Sequence, residues 1–163
     1  PIPCCLSKDS LQDVKSLYHY HFKESTQEKN STAQFDFQQL THHSGYANIN
    51  GLPFHYTSYM QGQMPVLGLR FGDVAYLTDI KTYDDSIFEF LKGVKTLVIS
   101  ALRFTASMLH FTIDEAVEFT QKVGPDQTYF IHISHDVEIS HAQSLLPENV
   151  FIAYDGLTFN FKL

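Results

Sequence analysis

Cysteine is nearly absent from this chain. Of 163 residues only Cys4 and Cys5 are cysteines, and they are adjacent. Neighbouring residues rarely reach disulfide geometry, so the sequence carries no disulfide framework. The pair reads as two small apolar residues in or near a strand. Such usage fits a reducing cytoplasm, the expected compartment. No apolar run approaches the ~20 residues that cross a bilayer, so no membrane partner is expected. No charged-then-apolar start suggests a signal peptide. Basic residues are scarce: 11 Lys plus Arg stand against 18 Asp plus Glu, a net charge of −7. Non-specific nucleic-acid binding needs a basic face to displace counterions and is disfavoured. A small anionic substrate held through a metal ion is not excluded. The glycine spacings, such as Gly62 and Gly68, form no phosphate-cradling loop, and no nucleophile elbow surrounds any Ser or Cys. Internal repeats and low-complexity tracts are missing too.

What remains is a well-furnished core. Hydrophobic residues make up 44% of the chain, with 14 Phe and 9 Tyr, which excludes global disorder. The length suits one domain, which can bury roughly two-thirds of its unfolded surface without staples. The chain opens on Pro1 with no initiator Met. It reads as entering mid-fold, so a fragment or processed product is expected.

Apolar spacing predicts an opening strand over 1–5 and an amphipathic helix over 7–22, on Leu11, Val14, Leu17, Tyr18 and Phe22. Residues 23–34 are polar and read as a surface loop. Strands are expected over 35–40 and, loosely, 49–60. The apolar runs 65–71 and 74–78 flank Gly72-Asp73 and read as a hairpin. Asp84 or Asp85 caps a short helix ended by Gly93, and 94–102 is a buried strand. Thr112-Ile-Asp-Glu115 is a capping-box pattern opening a helix to Val123, with Gly124 as its C-cap. A strand over 127–133, a helix over 141–146 stopped by Pro147, and strands over 150–154 and 157–161 around Asp155-Gly156 complete the reading. Strands alternating with helices indicate an α/β fold, whose chemistry collects at strand ends.

Five residues carry candidate reactive side chains. Asp79 follows the strand VAYLT, where a carboxylate can hold or bridge metal ions or simply form a turn. His132 and His135 in His-Ile-Ser-His-Asp follow the strand YFI and offer an imidazole ligand with outer partners, or a loop bonded to itself. His110 precedes a helix N-terminus, where it could protonate a leaving group or meet a phosphate. Asp155 reads first as a turn residue that could orient a histidine. His19, His21, His42 and His43 read as solvated, and His55 stays undecided.

In order, the segments PVLGLRFGDVAYLTD, LVISALR, HFTIDEA, YFIHISHD and AYDG resemble the C-terminal part of metallo-β-lactamase-fold hydrolases. The branch they resemble is that of the phosphonate-utilisation cyclic phosphodiesterase. The resemblance implies an αβ/βα sandwich with a two-metal site along one edge, here lacking much of the N-terminal half, so that 1–163 form the C-terminal part of one such domain. It implies that Asp79 bridges the metals, that His132 binds one of them, and that His110 assists catalysis beside them. It implies that His135 and Asp155 support the site from outside. The family's His-x-His-x-Asp-His motif is absent, and Gln61 stands where relatives carry a ligand histidine. An amide oxygen is a weaker Zn²⁺ ligand than imidazole. With two ligands carried over, weak binding of Zn or Mn is expected of this chain.

The expected function is a metal-dependent hydrolase, a phosphodiesterase in which metal ions activate water, on a small anionic ester or phosphodiester. Residues outside the chain would complete the site, and catalysis is not expected of this chain by itself. The alternative is a non-catalytic pseudoenzyme or interaction module from a truncated or split gene. A homodimer, or association with a missing N-terminal half, would then cover its apolar face.

Overall fold

The computed structural model describes residues 1–22 and 33–163. Most of the loop expected over 23–34 therefore lies outside the described residues. The chain divides into two compact units, residues 1–53 and 54–163.

In the first unit, β1 (Ile2–Ser7) pairs in parallel with β2 (Phe35–Leu40), in a register that sets Cys4 opposite Phe37. Both cysteines are free. Between them runs α1 (Lys8–Leu17), capped by Ser7, whose hydroxyl accepts from the Ser10 N–H at 3.1 Å. The predicted helix stops five residues early. At Tyr18 the chain leaves the helical region, and His19–Phe22 form a single 3₁₀ turn. The run Tyr-His-Tyr-His-Phe has low helix propensity and instead lets Phe22 stack on Phe37 at 5.7 Å. Strand β3 (Ser44–Ile49) completes the unit.

In the second unit, six strands lie side by side in sequence order: β4 (Leu52–Gln61), β5 (Met64–Phe71), β6 (Val74–Leu77), β7 (Thr96–Ser100), β8 (Gln127–Ile131) and β9 (Val150–Ile152). Strands β4 to β6 form antiparallel hairpins, with Gly72 at φ 56° in the turn, as the Gly-Asp signal predicts. From β6 to β9 every pairing is parallel. The crossovers are α2 (Ile87–Leu91), α3 (Ile113–Val123) and α4 (Ile139–Leu145). This topology places the C-terminal ends of β4, β6, β7, β8 and β9 along one edge. Leu77, Leu97, Ile99, Phe119, Phe130 and Val150 are fully buried between sheet and helices.

Two local readings change. Ser86 rather than an aspartate occupies the α2 N-cap position, while Asp84 accepts from the Ser86 N–H at 2.9 Å. No strand forms over 157–161. That segment stacks Phe159 on Tyr129 of β8 and runs on to the β5–β6 turn, where Asp73 Oδ1 accepts from the Lys162 N–H at 3.1 Å. Asp155-Gly156 is a turn, as expected, but it leads into this tail.

The capping box of α3 is complete: Glu115 N–H donates to Thr112 Oγ1 at 3.1 Å, and Thr112 N–H to Glu115 Oε2 at 2.7 Å. Lys81 also donates to both oxygens of Glu115, at 2.8 and 2.9 Å. Burial pushes the Glu115 carboxyl up, but the bonds from Lys81 and Thr112 outweigh it and hold the group below its ordinary 4.5. A depressed folded pKa stabilises above the unfolded value and is lost as pH falls through the folded one. The urea midpoint of the wild type is therefore expected to exceed that of Glu115→Gln at pH 7, with the gap closing well below pH 4.5. A gap independent of pH would contradict this.

Candidate metal-binding site

Asp79 and His132 stand just beyond the C-terminal ends of β6 and β8, and both adopt the left-handed backbone region, at φ 58° and 63°. Asp and His tolerate that region better than most residues, though each still stores about 1–3 kcal/mol of strain. Such strain persists only where surrounding contacts impose it. Here Tyr59 supplies one. Its ring passes over Gly68 in β5, where an added Cβ would lie 2.8 Å from Tyr59 Cε1, and its hydroxyl donates to the Thr78 carbonyl at 2.6 Å. Burial first, then the charges of Asp79 and Tyr76, push that hydroxyl far above its ordinary range, so it stays a donor.

Backbone bonds tie the strand-end loops together. Phe111 N–H donates to Ile80 O at 3.0 Å, Leu102 N–H to Phe111 O at 2.9 Å, and Ser134 N–H to Leu102 O at 2.8 Å. His110 is thereby carried alongside Asp79. Its Nδ1 lies 3.4 Å from Asp79 Oδ1, and His132 Nε2 lies 3.6 Å from the same oxygen. The two imidazoles face each other with ring centroids 4.8 Å apart. Asp79 Oδ2 accepts from Thr78 Oγ1 at 3.0 Å, which leaves Oδ1 for the cluster. Gln61, the last residue of β4, places its amide 3.1 Å from His110 Nε2 and 3.5 Å from Asp79 Oδ1.

Ligand atoms of Asp79, His110 and His132 lie within 4.8 Å of one another, the one such group among the described residues. His110 Nδ1 is buried and has no hydrogen-bond partner despite its closeness to Asp79. Burial, then the neighbouring His132, lowers the His110 pKa below 6.5 against the opposing pull of Asp79, so the ring is neutral at pH 7. One carboxylate oxygen and two imidazole nitrogens suit a divalent ion with an open position. An orphaned nitrogen aimed at that carboxylate is what such an ion would satisfy. The donor set therefore fits a metal.

The sequence reading and the geometry differ in emphasis. Asp79 and His132 converge on one point. His110, read from sequence as a proton donor, also presents a third ligand atom, so the donor count rises from two to three. Gln61, expected at an altered ligand position, lies at the site with its amide beside His110 and Asp79. Asp155 is exposed in the turn after β9 and lines, with His132 and Tyr154, a shallow cleft of about 370 Å³. His135 is exposed in the loop after β8 and is not part of the ligand group. His55 faces Arg70 in the β4–β5 register, six residues or about 20 Å along the strand from Gln61. Tyr59 and Thr78 were not legible as site residues. Nothing in the sequence marks Tyr59, and Thr78 is marked only by adjacency to Asp79.

Comparison with known proteins follows the same lines. The Beta-lactamase superfamily domain matches residues 2–133. A diphosphatase from the PhnP family superposes with a TM-score of 0.85 at 30% identity, over 99% of this chain and 59% of that one. Zn²⁺-bound PqqB from Methylobacterium extorquens superposes with a TM-score of 0.73 at 12% identity, over 99% of this chain and 65% of that one, which shows a shared fold. An octanoyltransferase from Porphyromonas gingivalis (strain ATCC BAA-308 / W83) is 33% identical over 100 residues, 60% of this chain and 20% of that protein. The chain thus spans 59% of the diphosphatase and 20% of the octanoyltransferase.

Proposed function

The chain belongs to the β-lactamase superfamily, with a metallo-β-lactamase fold, and from that premise we propose that it forms part of a metal-dependent hydrolase of small phosphoesters. The observation that carries this reading is the convergence of Asp79, His110 and His132 on one point at the sheet edge. The diphosphatase at 30% identity favours phosphoryl over other ester substrates. Asp79, His110 and His132 would hold the ion. When bound there, such an ion would supply Lewis acidity and make water more acidic at neutral pH.

The chain's own residues prepare that site. Asp79 brings the negative charge. Tyr59 and Thr78 hold its backbone and its second oxygen. Gln61 orients His110. Its amide nitrogen lies 3.1 Å from His110 Nε2 and 3.5 Å from Asp79 Oδ1, so it steadies the ring whose Nδ1 faces Asp79 Oδ1. Gln61→Ala is therefore expected to weaken divalent-metal affinity by about 10–100-fold, as loss of an outer partner does elsewhere. Competition against a chromophoric chelator measures it, and an unchanged affinity would remove Gln61 from the site.

The test of function is a screen of the metal-loaded, full-length protein against phosphodiesters and diphosphate esters. Turnover lost on Asp79→Ala supports the reading. Stoichiometric metal with no turnover on any phosphoester would favour a non-catalytic binding protein.

A further inference from the structure

Arg103 has no place in the site as described so far, yet its position is unusual. It follows β7, the strand lying between β6, which delivers Asp79, and β8, which delivers His132. Its backbone is held firmly: the Arg103 carbonyl accepts from Ile113 N–H at 2.9 Å, at the start of α3. The preceding Leu102 bonds both to Phe111, beside His110, and to Ser134, two residues past His132. The loop carrying Arg103 is thus the middle member of the stitched set that carries the ligand group.

An arginine brings a cation with five N–H donors and no acceptor. The Nε atom is buried and has no hydrogen-bond partner. Among the described residues no carboxylate lies within ion-pair distance of it. The nearby acid is Asp136. A hydrogen bond from Ser134 chiefly, and the Arg103 charge to a lesser degree, hold that carboxylate below its ordinary range. Asp136 is exposed and lies beyond ion-pair distance of the guanidinium. A buried guanidinium nitrogen without an acceptor is costly in a folded protein, and the planar fork of an arginine matches phosphate oxygens in bidentate fashion.

We propose that Arg103 binds an anionic phosphoryl oxygen of the substrate away from the scissile bond, and so selects diphosphate-type substrates over simple phosphodiesters. The substrate class rests on the hydrolase reading; the anion contact does not require it. The scissile phosphoryl group faces Asp79, His110 and His132. A second phosphoryl group finds its counter-charge on the neighbouring loop.

The experiment is calorimetric titration of the full chain with inorganic pyrophosphate and inorganic phosphate, in the presence of a metal chelator. The wild type is expected to bind pyrophosphate more tightly than phosphate. Arg103→Met is expected to weaken pyrophosphate binding at least about tenfold, as loss of a charge-assisted bidentate contact should. Arg103→Lys should lose less, since it keeps the charge without the fork. Equal pyrophosphate affinity in wild type and Arg103→Met overturns the proposal. So does an equal loss in Asp136→Asn, which would mean that the guanidinium only holds its loop. Phenylglyoxal modification, mapped by peptide mass, reads the same contact in the unsubstituted chain. Pyrophosphate is expected to slow modification at Arg103, and an unchanged rate overturns the proposal. Asp79→Asn separates the two readings. It should lose metal while keeping its pyrophosphate affinity, so failure of the metal site leaves the Arg103 contact standing, and the reverse holds too.

Discussion

Asp79→Ala is expected to abolish divalent-metal uptake by this chain. The wild type, dialysed against trace Zn²⁺, should retain metal at a level set by three donors, whereas the variant should retain near background. Three facts set the size of the effect. Asp79 is the only carboxylate in the ligand group, so its loss removes the charge that offsets the cation. Both histidine contacts run to its Oδ1, at 3.4 and 3.6 Å, so it is the shared point of the cluster. Catalytic Zn²⁺ sites use three protein ligands, and two imidazoles alone fall short of that number. The loss should exceed the ~10–100-fold that follows removal of an outer partner. Folding should survive, because Asp79 is partly exposed and its substitution opens no core cavity. Asp79→Asn is the gentler control, since Asn tolerates the left-handed region that Asp79 occupies. Metal retention by Asp79→Ala equal to that of the wild type would remove the proposed site.

Phe119→Ala is expected to cost about 3–5 kcal/mol of stability, as large-to-small changes at a buried aromatic do. Phe119 is 1% exposed. Its ring meets Tyr83 edge-on at 5.1 Å, Phe88 at 5.5 Å and Phe111 at 5.7 Å. These partners come from three separate segments, so no single side chain can collapse into the void. Phe111 links the cluster to the site, because its N–H and C=O bridge Ile80 and Leu102 and its neighbour is His110. The variant should therefore also bind metal less well, although it touches no ligand. Urea unfolding measures the first effect and chelator competition the second. A loss under about 1 kcal/mol would mean that the cluster repacks, contrary to the close packing of protein interiors.

Much of the second unit was legible from local chemistry. Gly72-Asp73 marks the β5–β6 turn because only a positive φ closes it. Thr112 and Glu115 mark the start of α3 because an exposed helix terminus needs acceptors and donors at those two positions. Where the reading slipped, a distant partner had decided the matter. The 157–163 tail reads as a strand on its alternation, yet it runs to Asp73, some ninety residues earlier, where Lys162 finds its acceptor. Helix α1 stops at Leu17 because Phe22 has a stacking partner on β2.

The site divides in the same way. The sequence by itself determined which side chains could bind a metal and that they follow strands, because residue type and hydrophobic period are local properties. Through the resemblance it also marked Gln61. The tertiary structure alone decided which of these side chains meet. Parallel pairing of β6, β7 and β8 brings residues 79, 103 and 132 to one edge, and the Ile80–Phe111–Leu102–Ser134 bonds carry His110 in beside them. That convergence depends on strand order and register, which are set by contacts between residues far apart in the chain. For the same reason His135, three residues from His132, stands outside the group, while Gln61, some seventy residues away, touches it.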